Sequence, residues 1–212
     1  MLCRSSDRGL TVLAPAKLNL FLRIVARRSD GFHEIESVMA AINLYDTLTF
    51  QPLATDTIEL NVVDAFPRSP TSVIHSEAPT GPTNLVVRAA ILLKEHAGCC
   101  HGARISLIKR IPSSAGLGGG SSDCAATLGA LNRLWNLGVP ENDLLQLAGR
   151  LGSDVPFFLG KTPVALCTGR GEVLEPFRVS TGLHFVVAKP ATGLSTPAVY
   201  RGCHPDTTGQ SA

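Results

Sequence analysis

Apolar and polar positions alternate through residues 11–25, TVLAPAKLNLFLRIV, and predict a strand broken at Pro15, which has no N–H to give a ladder. Asp30-Gly31 marks a turn, and residues 35–50, IESVMAAINLYDTLTF, read as further strand with a second turn near Tyr45-Asp46. A short strand follows over 57–63, then a Pro/Ser/Thr-rich stretch over 64–82 that predicts a surface loop. The period then changes. Leu85, Val86, Ala89, Ala90, Leu92 and Leu93 recur at helical spacing, with Asn84 as N-cap and Gly98 as the stop. Alternation returns in 103–111, ARISLIKRI, and 112–122, PSSAGLGGGSS, read as a loop. A helix with a small-residue face is predicted over 122–135, and another opens at Pro140 and closes at Gly152. A strand pair within TPVALCTGRGEVLEPF and a buried strand at 184–190, HFVVAKP, complete the pattern. Strands, helix, strand, glycine loop, two helices and strands make a mixed architecture, α+β or α/β, without internal repeats.

Composition narrows the class. The chain is 44% hydrophobic and 17% charged, which supplies a sizeable core and excludes a disordered chain. Its 212 residues correspond to about one and a half ordinary domains. Lys and Arg exceed Asp and Glu by 19 to 17 with no basic stripe, so nucleic acid is not an expected partner. No run of roughly 18 apolar residues is present, and the opening MLCRSSDRGL lacks an apolar signal core, so the expectation is a soluble cytoplasmic protein without a membrane partner. The cysteines at 3, 99, 100, 124, 167 and 203 form no Cys-x-x-Cys pair and read as reduced thiols, several of them buried.

The most informative chemistry lies in GLGGGSSD. Glycines let backbone N–H groups approach an anion, a helix starting behind them adds its positive end, and Ser121 and Ser122 add hydroxyls there. The stretch therefore reads as a phosphate cradle. It is neither a Walker loop, since no lysine follows, nor a dinucleotide loop, since Ser121 stands at the third glycine position. Asp154, between Gly152 and Val155-Pro156, has two readings of equal weight: a general base presented by a turn, or a helix N-cap. Lys17, alone in an apolar strand, is either a paired ammonium facing Asp154 and a transferring phosphoryl group or a strand-edge lysine snorkelling to water. Asn19, two residues on, shares its face and could hydrogen-bond a polyol. Lys109 beside Arg110 reads by itself as a solvated strand end.

PSSAGLGGGSS resembles the second motif of the GHMP kinases, which runs Pro, three residues, Gly-Leu-Gly and Ser-Ser; APAKLNLFLRI is similar to their first motif. ARRSDGFHEIESV, with NLVVRAA, IKRIP and LGSDVPFFLGK, looks like the branch that phosphorylates diphosphocytidyl-methylerythritol, and the likeness runs through most of residues 11–200. It implies an α+β ATP-binding domain of ribosomal-protein-like fold over 1–177, followed over 178–212 by the start of a ferredoxin-like α/β domain. It implies ATP with Mg2+, and phosphoryl transfer to the 2-hydroxyl of the methylerythritol unit in non-mevalonate isoprenoid synthesis. Lys17 and Asp154 become catalytic residues. Pro112, Ser113, Ser114, Ala115, Gly116, Leu117, Gly118, Gly119, Gly120, Ser121 and Ser122 wrap the phosphates, and Asn84 and Lys109 lie near the adenine. Asn19 and Thr196 contact substrate, while Phe32, His33 and Tyr200 hold the cytosine by stacking and edge hydrogen bonding. The metal ligands are unassigned beyond Ser122 or a carboxylate.

The family's third glycine-rich motif is not found in 177–212, where Gly182, Gly193, Gly202 and Gly209 stand isolated. The expectation is weak or absent turnover by this chain. Three other readings compete: a kinase for another small alcohol, a non-catalytic nucleotide-binding protein, and a nucleic-acid module. Asp30 to His33 argues against the first, retention of Lys17 and Asp154 against the second, and the charge balance with the glycine loop against the third.

Overall fold

The computed structural model describes residues 1–6, 9–65, 79, 81–160, 162–180, 182–189, 199 and 202. Among these residues seven strands form one sheet: β1 (Leu2–Ser6), β2 (Gly9–Arg27), β3 (His33–Leu53), β4 (Ile58–Asp64), β5 (Gly102–Lys109), β6 (Val164–Thr168) and β7 (Val173–Pro176). Four helices among the described residues accompany it: α1 (Leu85–Ala97), α2 (Gly119–Leu134), α3 (Glu141–Leu151) and α4 (Val155–Leu159).

β2 and β3 form a long antiparallel hairpin around the Asp30-Gly31 turn, pairing from Leu10 with Phe50 to Arg27 with His33. β3 then has different neighbours at its two ends: Ser37–Ala40 pair with β6 and Thr47–Leu53 with β5. β4 lies parallel to β5, joined through α1. The expected break at Pro15 is instead a register shift within a continuous strand: Pro15 faces Tyr45 while Ala16 faces Ile42, and a bulge is where a strand tolerates a residue with no N–H to give. Across this bulge the inward phase passes from Leu10, Val12 and Ala14 to Lys17 and Asn19. The expected turn at Tyr45-Asp46 is likewise part of β3, its backbone held by β2.

Asn84 caps α1 as expected, its Oδ1 accepting from the Val86 N–H at 2.8 Å, and Gly98 ends the helix in the left-handed region at φ 61°. The loop expected over 112–122 is shorter: α2 begins inside the glycine run at Gly119, so Ser121 and Ser122 lie in its first turn. Residues 184–189, expected to be a buried strand, have no regular secondary structure, and Val186 is fully exposed; no strand among the described residues lies alongside to complete a ladder. The expected loop at 64–82 falls largely outside the described residues.

The core joins the buried sheet face (Leu48, Phe50, Ile105, Leu107) to α1 and α2 through Val86, Leu93, Leu128 and Leu131. A separate small cluster of Ala16, Ile111 and Leu117 seats the glycine loop on β2. Cys124 and Cys167 are buried, and burial pushes their thiols up to about 12 and about 11; Cys3 and Cys100 are exposed, and Cys203 lies outside the described residues. Among the described residues no helix is long and apolar enough to cross a membrane, and no cluster of three His, Cys, Asp or Glu is placed to hold a metal.

Candidate active site

The glycine loop is shaped from beneath. Leu117 is buried, and its carbonyl accepts the Lys17 backbone N–H at 2.9 Å, tying the loop to β2. Gly118 follows in the left-handed region at φ 69° and is the N-cap of α2. A Cβ there would lie 2.9 Å from Phe158 Cζ and 3.0 Å from Lys17 Cγ, so only glycine lets the loop close onto both side chains. No side chain caps α2, so its first N–H groups stay available to an anion at the positive end of a 16-residue helix. Ser114, Gly116 and Gly120 expose the outer side of the cradle. Ser122 Oγ is buried with no hydrogen-bond partner. With these free N–H groups and the unpartnered hydroxyl, the cradle fits an anion such as a phosphate group.

Beside it stands the charged pair. Lys17 is 6% exposed, and its ammonium lies 3.4 Å from Asp154 Oδ2 and donates to Asn19 Oδ1. Asn19 in turn donates to Ser37 Oγ, which donates to the Phe21 carbonyl, so the row is fixed from the sheet. Asp154 occupies the N-cap position of α4 yet makes no side-chain cap bond. Its carboxylate is about one-third exposed, open to solvent on one side and facing Lys17 on the other. This geometry favours the base reading over the cap reading, and the paired reading of Lys17 over the snorkelling one.

Phe32 and His33 sit at the tip of the β2–β3 hairpin. The Phe32 N–H donates to Asp30 Oδ1, which holds that carboxyl below its ordinary value. Phe32 is half exposed, and the Arg170 guanidinium lies 4.6 Å from its ring centroid. The β6–β7 turn carrying Arg170 links this tip to the Asp154 segment: the Ile35 N–H donates to the Gly169 carbonyl, and Gly171 packs toward Ser153. Thr196 and Tyr200 lie outside the described residues.

Asn84 is engaged at both ends, capping α1 and donating to the Pro79 carbonyl, and α1 starts against the loop, where a Cβ on Gly120 would meet Leu85 at 3.6 Å. Lys109 is not solvated, contrary to its expected strand-end character. It is 3% exposed and ion-paired with Asp46 and, at 2.8 Å, with Asp123. Burial opposes its charge, but the two carboxylates outweigh this and raise the ammonium above its ordinary value. Asp46, Asp123, Ser37 and Arg170 were not among the sequence candidates. The first two had one signal, a lone carboxylate among uncharged neighbours.

Residues 84–161 match the family described as GHMP kinases N terminal domain. A 4-diphosphocytidyl-2-C-methyl-D-erythritol kinase of Pelotomaculum thermopropionicum is 47% identical over 197 residues, covering 92% of this chain and 64% of the relative. One from Geobacillus sp. is 42% identical over 207 residues, covering 94% and 67%. A solved 4-(cytidine 5'-diphospho)-2C-methyl-D-erythritol kinase superposes with a TM-score of 0.70 at 38% identity over 92% of this chain and 65% of that one. A homoserine kinase of Cytophaga hutchinsonii, at 21% identity and a TM-score of 0.55, shares the fold. The chain spans about 64% of the length of the first curated relatives it matches. By its glycine cradle, its Lys17–Asp154 pair and these likenesses, the chain belongs to the GHMP kinases and, within them, to the 4-diphosphocytidyl-2-C-methyl-D-erythritol kinase family.

Proposed function

We propose that the chain carries the catalytic half-site of an ATP-dependent kinase that phosphorylates the 2-hydroxyl of 4-diphosphocytidyl-2-C-methyl-D-erythritol in non-mevalonate isoprenoid synthesis. The observation that carries this is the Lys17–Asp154 pair, 3.4 Å apart, whose Lys17 stem lies against Gly118 of an uncapped, glycine-lined helix start. ATP bound in the cradle supplies the transferable phosphoryl group. The loop N–H groups hold its phosphates, and Lys17, adjoining Gly118, offsets charge that develops between donor and acceptor. Asp154 accepts the hydroxyl proton and orients the oxygen. Asn19, held by Lys17 and Ser37, reads the substrate's polyol from the same row. Phe32 offers its ring to the cytosine and His33 the base's polar edge, with Thr196 and Tyr200 assigned by family likeness alone. The orphaned Ser122 hydroxyl is the group that would reach an Mg2+ accompanying the nucleotide. Residues 1–177 are the ATP-binding unit and 178–212 the opening of the second domain in this reading, and a cytoplasmic location suits a charged, water-soluble substrate.

The test is single-turnover phosphorylation of 4-diphosphocytidyl-2-C-methyl-D-erythritol with ATP, under enzyme excess so that a weak rate is measurable, by the 212-residue chain and by Asp154→Asn. Asn keeps the shape and removes the base, so the rate should fall roughly 10²- to 10⁴-fold, with the urea unfolding midpoint little changed. An Asp154→Asn rate equal to the parent's would reject Asp154 as base, and turnover of a different alcohol alone would reject the substrate.

A further inference from the structure

Beneath the glycine loop lies a group of three charges, of which the family resemblance gives a place only to Lys109, near the adenine, and none to the two carboxylates around it. Lys109 ends β5, Asp46 lies within β3, and Asp123 follows the first turn of α2; their side chains are 4%, 0% and 4% exposed. Asp46 accepts the Arg110 and Ile111 backbone N–H groups on Oδ1, the latter at 2.9 Å, and pairs with Lys109 through Oδ2. Arg110 and Ile111 are the residues that open the loop. Asp123, which takes the same ammonium through Oδ2 at 2.8 Å, stands just past the loop's exit. One buried cation thus pins both ends of the Pro112–Gly118 segment. The helix start also rests on it: a Cβ added to Gly119 would lie 3.1 Å from Lys109 Nζ and 2.9 Å from Ile111 Cγ2.

Net stability does not account for such a trio. Desolvating three charges offsets most of their attraction, and an apolar cluster of equal volume would hold the elements together at least as well. Two carboxylates facing one ammonium leave Asp123 Oδ1 without a partner, and burial, opposed by Lys109 and reinforced by Asp46, pushes Asp123 up to about 7. What the ions add over a greasy contact is direction: each bond works at one distance and one angle.

We propose that Asp46, Lys109 and Asp123 are positioning residues that set the aim of the first N–H groups of α2 at the nucleotide phosphates, Lys109 acting only through the loop. This rests on the nucleotide-binding reading above, and it differs from a direct lysine–nucleotide contact, for which the ammonium is already spent on two carboxylates.

The experiment titrates the whole chain and its Lys109→Met, Asp123→Ala and Asp123→Asn variants with ADP and, separately, with 4-diphosphocytidyl-2-C-methyl-D-erythritol by calorimetry. Lys109→Met and Asp123→Ala should each weaken ADP roughly tenfold or more, the scale of one lost charge-assisted hydrogen bond. The cytidine ligand's affinity should stay within about twofold, because its residues lie on other elements and additivity holds between separated sites. Asp123→Asn keeps an oxygen acceptor for Lys109 and should recover most of the ADP affinity. Loss in Lys109→Met with none in Asp123→Ala means direct contact and overturns the proposal. Equal losses for both ligands, no rescue by Asn, or unfolding of all three variants makes the trio plain core and overturns it too. A parent that binds the cytidine ligand but no ADP rejects the kinase reading itself, and the proposal with it, before any variant is compared.

Discussion

Gly118→Ala and Gly116→Ala form a matched pair that tests how the loop is built. Both glycines are in the left-handed region, at φ 69° and 73°. Each alanine therefore incurs the same backbone penalty of about 1 kcal/mol, partly offset by a stiffer unfolded chain. They differ in what the new methyl meets. At Gly116 nothing lies within 4 Å. At Gly118 the methyl would sit 2.9 Å from Phe158 Cζ and 3.0 Å from Lys17 Cγ. Phe158 and Lys17 are 5% and 6% exposed, so neither swings aside freely, and overpacking adds about 1–3 kcal/mol. Gly118→Ala should thus be less stable than Gly116→Ala by about 2 kcal/mol. Trp135, buried and the chain's single tryptophan, reports urea unfolding by fluorescence. The expected result is a lower midpoint for Gly118→Ala at unchanged m-value, equivalent to a melting temperature lower by roughly 4–8 °C. Relief of the clash moves Lys17 away from Asp154, so turnover should fall further than stability explains. Equal midpoints for the two variants would refute the claim that loop, Lys17 and Phe158 are in close-packed contact.

Other outcomes follow from the same structure. Asp123 holds its proton to about pH 7 when folded but to about 3.8 in its ordinary state, so the folded chain binds more protons across that window and its stability falls as pH rises through it. Asp123→Asn should lose this slope, and urea midpoints from pH 4 to 8 should show the variant gaining on the parent by a few kcal/mol; a constant difference would refute the burial argument. Peptide mapping after alkylation of the native chain should find Cys3 and Cys100 modified and Cys124 and Cys167 protected until denaturant is added, and native modification of Cys167 would contradict its packing. Phe32→Ala should weaken the cytidine ligand by about 1–2 kcal/mol, roughly tenfold by calorimetry, while leaving ADP binding as it was; loss of both would place Phe32 in the fold rather than at the ligand.

Local patterning was legible where neighbours along the chain carry the signal. The helical spacing from Leu85 to Leu93, bounded by Asn84 and Gly98, reproduces α1 because capping and periodicity act within a few residues. Strand continuity is not legible in the same way. Pro15 is tolerated inside β2 and Asp46 inside β3 because a bulge and a partner strand accommodate them, and neither is visible from flanking residues. The 184–190 segment looked like a strand on hydrophobicity, but a strand is made by its neighbour, and residues 184–189 have none among the described residues.

Sequence alone determined the glycine run with a helix behind it, the Lys17–Asn19 face and the presence of Asp154, since each is a matter of residue type and short spacing. Tertiary structure decided what those groups meet. Asp154 could have capped α4; the approach of Lys17 to 3.4 Å, with no cap bond made, leaves its carboxylate facing the site. Lys109 could have pointed into water beside Arg110; Asp46 and Asp123, distant along the chain, make a buried ammonium tenable and turn it toward the loop. The physical reason is common to both. Residue type sets which charges a chain carries, but burial and pairing set whether they are paired, exposed or spent, and those depend on elements brought together only by the fold.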